Sequence, residues 1–136
     1  MTAGSDPKRA APAAVIVDGN ELMRRVVGEV LRSHRPEFTI VEAHDGETAV
    51  ELVRQWRAIL VLMEIQLPGI NGLEATRRIK ESMADCMVIL MSWTEEEDFV
   101  RLTREAGAAA LLRKDTVATT LAPLLSTLPG LDPDPG

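Results

Sequence analysis

Apolar and polar positions follow two rhythms along this chain. Short unbroken apolar runs come first in each unit, and apolar residues at helical spacing follow. Ala14-Val15-Ile16-Val17 is such a run, ending at Asp18-Gly19. A strand buried on both faces has this composition. Leu22, Val26, Val27, Val30 and Leu31 then recur at helical spacing between Arg24, Arg25 and Glu29, which predicts an amphipathic helix over about 21–33. Pro36 marks its stop. The second unit pairs a strand over 39–43 with a helix capped by Asp45, whose stripe is Ala49, Leu52, Val53 and Trp56.

Ile59 to Met63 is the third apolar run, and Glu64 stands at its carboxyl end. Leu67-Pro68-Gly69-Ile70-Asn71-Gly72 reads as a turn before a helix over about 73–82. Met87 to Met91 predicts the fourth strand, ending at Ser92. Thr94 and Glu97 have capping-box spacing, so the fourth helix is expected to start at Thr94 and end at Gly107. A fifth strand over 109–112 leads through Arg113-Lys114-Asp115 to a last helix over about 117–128. Pro123 falls within that helix, and either kinks it or sits in a late first turn.

Five strand–helix units predict an α/β fold: a doubly wound, five-stranded parallel sheet of flavodoxin-like order 2-1-3-4-5, with helices on both faces. Residues 1–12 are expected to be a disordered tail, 13–128 one folded domain, and 129–136 a Pro/Gly-rich tail or linker. Sites in such sheets gather at the carboxyl ends of the strands. Those ends bring up Asp18 and Gly19, then Glu64, then Met91 and Ser92, then Lys114.

Composition narrows the chemistry. The chain has 136 residues, 46% hydrophobic, with a formal charge of −6. That suits a soluble cytoplasmic domain and argues against direct nucleic-acid binding, which needs a basic surface. No apolar run reaches the ~20 residues of a membrane span. The single cysteine, Cys86, excludes an intrachain disulfide and reads as a small buried residue. His34 and His44 read as surface or loop residues far from any ligand set, and Met63, Met87 and Met91 as packing residues. The acidic run Glu95-Glu96-Glu97-Asp98 suits a helix start, where the dipole favours carboxylates.

The strings Val15-Ile16-Val17-Asp18, Leu60 to Ile65, Leu67 to Ala75, Glu105 to Ala109 and Lys114-Asp115 resemble the receiver domain of response regulators, of the NarL type most of all. The resemblance implies a phosphoacceptor at position 64, an acidic pair at 18–19 and a main-chain oxygen at Gln66 for Mg²⁺, a hydroxyl ending the fourth strand, Lys114 on the phosphoryl group, and an aromatic switch at 111. This sequence departs from that pattern. Gly19 lacks the second carboxylate, Glu64 replaces Asp, Met91 takes the hydroxyl position with Ser92 after it, and Leu111 replaces the aromatic.

Each departure weakens the implied chemistry. Mg²⁺ usually takes one or two protein carboxylates, so losing one leaves its binding weak or absent. Glu64 places its oxygens over ~1 Å away from the in-line geometry, and such a shift costs roughly 100-fold in rate. The expectation is an atypical receiver without catalytic residues, metal or cofactor. It would work as a regulatory interaction module, regulating transcription through dimerisation or an attached or partner output domain. Glu64 and Lys114 would form a permanent ion pair in place of an aspartyl phosphate. The face of the fourth helix, fifth strand and fifth helix would meet a second copy or a protein partner near Trp93, Phe99 and Leu111. Two readings compete with this one: a phosphorylatable receiver in a two-component phosphorelay, and a flavodoxin-like cofactor binder, which the lack of Tyr and of a Gly-rich phosphate loop disfavours.

Overall fold

The computed structural model describes residues 11–94 and 96–127. Five strands, β1 (Ala13–Val17), β2 (Thr39–Ala43), β3 (Leu60–Glu64), β4 (Met87–Ser92) and β5 (Ala110–Arg113), alternate with five helices. These are α1 (Glu21–His34), α2 (Gly46–Trp56), α3 (Gly72–Ser82), α4 (Glu97–Ala106) and α5 (Val117–Thr127). The strands are all parallel, in the order β2-β1-β3-β4-β5. The expected topology is therefore present. Its physical source is the uniformly buried run in β1 and β3, which requires cover on both faces.

Alternation along each strand divides the core in two. Val15, Val17, Val61, Met63, Val88 and Leu90 pack beneath α2, α3 and α4. Ile16, Leu60, Leu62, Ile89 and Met91 pack beneath α1 and α5. Truncating one of these large side chains to alanine costs ~2–5 kcal/mol.

Helix starts follow side-chain chemistry. Asn20, Asp45 and Asn71 accept hydrogen bonds from the backbone N–H of Met23, Thr48 and Glu74, capping α1, α2 and α3. α4 differs from the capping-box expectation. It begins at Glu97 with Glu96 at the cap and no side-chain cap bond. The backbone N–H of Thr94 donates instead to Ser92 Oγ at 3.2 Å.

Other details also depart from the sequence pattern. Leu22 and Trp56 are exposed rather than buried, because each lies at an outer end of its helix where the stripe runs past the core. Pro123 is inside α5, so the late-start alternative fails. Residues 1–10 and 128–136 lie outside the described residues, as does Glu95 of the acidic run; the tail assignments fall there, and so does Leu128 at the expected end of the last helix. Pro12, placed in the tail by sequence, is tied to the sheet through its carbonyl, which accepts from Thr39 N at 2.8 Å. Among the described residues, no helix is long and apolar enough to cross a membrane.

Candidate functional site

The carboxyl ends of β1, β3 and β5 converge on one ammonium group. Lys114, one residue beyond β5, places its Nζ 2.7 Å from Asp18 Oδ2 and 2.6 Å from Glu64 Oε2. The Lys114 and Asp18 side chains are 2% and 1% exposed, and Glu64 is 12% exposed. The Glu64 contact is a hydrogen bond. The Asp18 contact is an ion pair without hydrogen-bond alignment, since Asp18 Oδ2 has no hydrogen-bond partner. Its other oxygen accepts from Asn20 N at 2.8 Å. A buried charge needs compensation on every side, and here one cation answers two anions.

Backbone bonds fix these groups. Lys114 N donates to Ser92 O at 2.8 Å, Asp18 N to Ala43 O at 3.2 Å, and Ile65 N to Met91 O at 2.9 Å. The loop after β3 holds Glu64 from its other side. Gly72 N donates to Ile65 O at 2.7 Å, and a Cβ at Gly72 would fall on the Glu64 carbonyl. Gly69 has φ +74°, and Glu47 accepts from Ile70 N at 3.2 Å.

The hydroxyl expectation needs correction. Met91 is fully buried on the α1–α5 side with Ile16, Leu62 and Leu121, so its thioether is part of the core and not of the site. Ser92, buried as the last residue of β4, supplies the strand-end hydroxyl. The Gln66 side chain is exposed beside the site. Leu111 and Phe99 are only partly exposed and pack against the α2–α4 core, so they are weak anchors on their own. Trp93 is 52% exposed, and Val100, which the sequence did not single out, is exposed too. A groove of about 270 Å³ between α4 and β5 is lined by Val100, Thr103, Arg104, Ala109 and Leu111 among others.

Arg24 was also missed. Its guanidinium donates to Asp18 O at 2.7 Å and to Glu42 Oε1 at 2.8 Å, tying α1 to β1 and β2. The only sequence signal was a cation in the second turn of the helix that follows Asp18. Cys86 is buried, and desolvation pushes its thiol up to about 11. His34 and His44 are exposed.

The residue set does not fit a resident Mg²⁺. Position 19 brings no side-chain oxygen, and the Asp18 and Glu64 carboxylates already face an ammonium. Among the described residues, no three His, Cys, Asp or Glu side chains come together as ligands. A Cβ at Gly19 meets nothing within 4 Å, so the missing side chain leaves open space.

The family model for the response regulator receiver domain matches residues 14–125. The chain belongs to that family. The receiver domain is 37% identical over 108 residues to the transcriptional regulatory protein DegU of Brevibacillus brevis, covering 79% of this chain and 45% of that protein. It is 37% identical over 100 residues to the response regulator UvrY of Escherichia coli K12, covering 74% and 46%. It thus spans about half the length of these relatives. Among solved structures, the receiver domain of the putative response regulator NarL from Mycobacterium tuberculosis superposes with TM-score 0.76 at 27% identity, covering 85% of this chain and 93% of that one. The response regulator domain of Thermotoga maritima CheB gives 0.76 at 25% identity, covering 91% and 100%.

Proposed function

We propose that this receiver domain is a regulatory interaction module that works without aspartyl phosphorylation and is not an enzyme. One observation carries the reading: Lys114 is already ion-paired with both Asp18 and Glu64, at 2.7 and 2.6 Å. In a phosphorylated site, metal and lysine offset charge that arrives with the phosphoryl group. Here the lysine is spent on the protein's own carboxylates, and the longer Glu64 supplies a fixed anion. Output then runs through contacts. A homodimer or protein partner on the α4–β5–α5 face, anchored by Trp93 and Val100, regulates transcription through an attached or partner output domain in the cytoplasm. The chain itself makes no direct contact with nucleic acid and none with membrane. The family names of DegU and UvrY support that direction.

The test is incubation with acetyl phosphate and Mg²⁺, read by intact mass. The wild type stays unmodified. The Gly19→Asp/Glu64→Asp double variant, which fills the open space and shortens the acceptor, gains a phosphoryl group. A wild-type adduct that disappears in Glu64→Gln overturns the proposal. It would establish the second reading, a phosphorelay receiver using Glu64, which the partial exposure of that carboxylate and the Ser92 hydroxyl favour.

A further inference from the structure

An ammonium has three N–H bonds, and Lys114 has two carboxylate partners. Its third neighbour is an indole. The Trp93 ring centroid lies 5.1 Å from Lys114 Nζ, within cation–π range. Lys114 is almost wholly buried, yet Trp93 is half exposed. One part of the ring therefore covers a buried cation, and the rest faces water.

We propose that Trp93 is a reversible cover over Lys114, and that its displacement opens the site to solvent. The segment that carries it is lightly tied. Thr94 N reaches Ser92 Oγ at 3.2 Å, and the α4 start has no side-chain cap. Ser92 and Lys114 are held by their own backbone bond, so the indole can leave without moving the strands. By linkage, a partner that binds the displaced indole must uncover Lys114, and an uncovered Lys114 must favour that partner. Trp93 thus couples the docking surface to the site. The inference rests on the ion triad invoked for the proposed function, but not on whether Glu64 accepts phosphate. Acetyl phosphate labelling and lysine labelling fail independently.

The experiment is acetylation by N-hydroxysuccinimidyl acetate, quantified by peptide mass spectrometry. Lys80 on α3, whose ammonium donates to the carbonyls of Ala84 and Cys86, is the internal reference. Trp93→Ala raises Lys114 labelling relative to Lys80 about tenfold, the scale expected for losing a partly desolvated cation–π contact. Trp93→Phe keeps a ring and stays near wild type. An unchanged ratio in Trp93→Ala, or an equal rise at both lysines, overturns the cover. A second measurement does not depend on that variant folding. In a Trp56→Phe background, Lys114→Met that keeps the wild-type circular dichroism must change the emission maximum or acrylamide quenching of Trp93. Identical spectra with and without Lys114→Met also overturn it.

Discussion

Two loops border the ion triad, and they are built differently. The loop from Ile65 to Asn71 is fixed by backbone geometry. It has a left-handed glycine at 69, a glycine at 72 pressed on the Glu64 carbonyl, two N–H bonds onto Ile65 O, and a cap from Asn71. Among the described residues of the loop after β4, Thr94 N donates to the Ser92 hydroxyl, and the helix that follows has no side-chain cap. The first leaves Glu64 no latitude. The second leaves Trp93 free to respond. Within one site, the acceptor position is rigid and the aromatic beside it is compliant.

The largest expected effect comes from the group both loops flank. Lys114→Met leaves Asp18 and Glu64 facing each other without a cation, and breaking a buried pair in this way costs ~3–5 kcal/mol. Urea unfolding measures it. A loss below ~1 kcal/mol would mean that the triad does not hold the loops together. Next is Gly72→Ala, where the added Cβ strikes backbone that cannot move aside. A loss of ~1–3 kcal/mol is expected, and a neutral result would remove the claim of rigidity.

Acid should loosen the rigid loop through α2, because Glu47 of that helix holds Ile70 N. The Asp45 carboxyl that caps α2 is held below its usual range, first by the N–H of Thr48 and then by its hydroxyl. A depressed folded pKa contributes stability above the unfolded value of ~3.9 and loses it as pH falls through the folded value. Asp45→Ala should therefore cost ~1 kcal/mol near neutrality and far less at the acid end. A loss in thermal melts that does not shrink as pH falls from 7 through the acid range would contradict this. The smallest effect is a matched pair. Asn71→Ala removes a formed cap and costs ~1 kcal/mol, whereas Glu96→Ala removes none and stays within ~0.5 kcal/mol. Equal losses in chemical denaturation would erase the contrast between the loops.

The fold was legible because burial on both faces of β1, β3 and β4 leaves unbroken apolar runs at regular spacing. Asp18 and Glu64 were legible for a related reason, as the first polar residues after such runs, and Lys114 as the second polar residue after the fifth predicted strand, behind Arg113. The same property hid the role of Met91. Where both faces of β4 are buried, hydrophobicity no longer says which side chain faces which layer, and only the packing of Leu90 and Met91 into opposite clusters assigns Ser92 to the strand end. The start of α4 was misread because Thr94 and Glu97 have capping-box spacing, but the N–H of Thr94 is drawn to Ser92 instead. The inward contact of Trp93 had no sequence signal. A cation and an aromatic far apart in sequence reveal their stacking only once the sheet brings them together.

The ammonium between Asp18 and Glu64 has one further consequence. A bound ion answers to its concentration in the surroundings, so chelators, dilution and competing ions all set its occupancy. A cation carried on the chain has an effective concentration fixed by its tether, and no change in the medium's ion content empties the place it fills. On the proposed reading, a message reaches this site as a displacement of atoms and not as a change in ion supply.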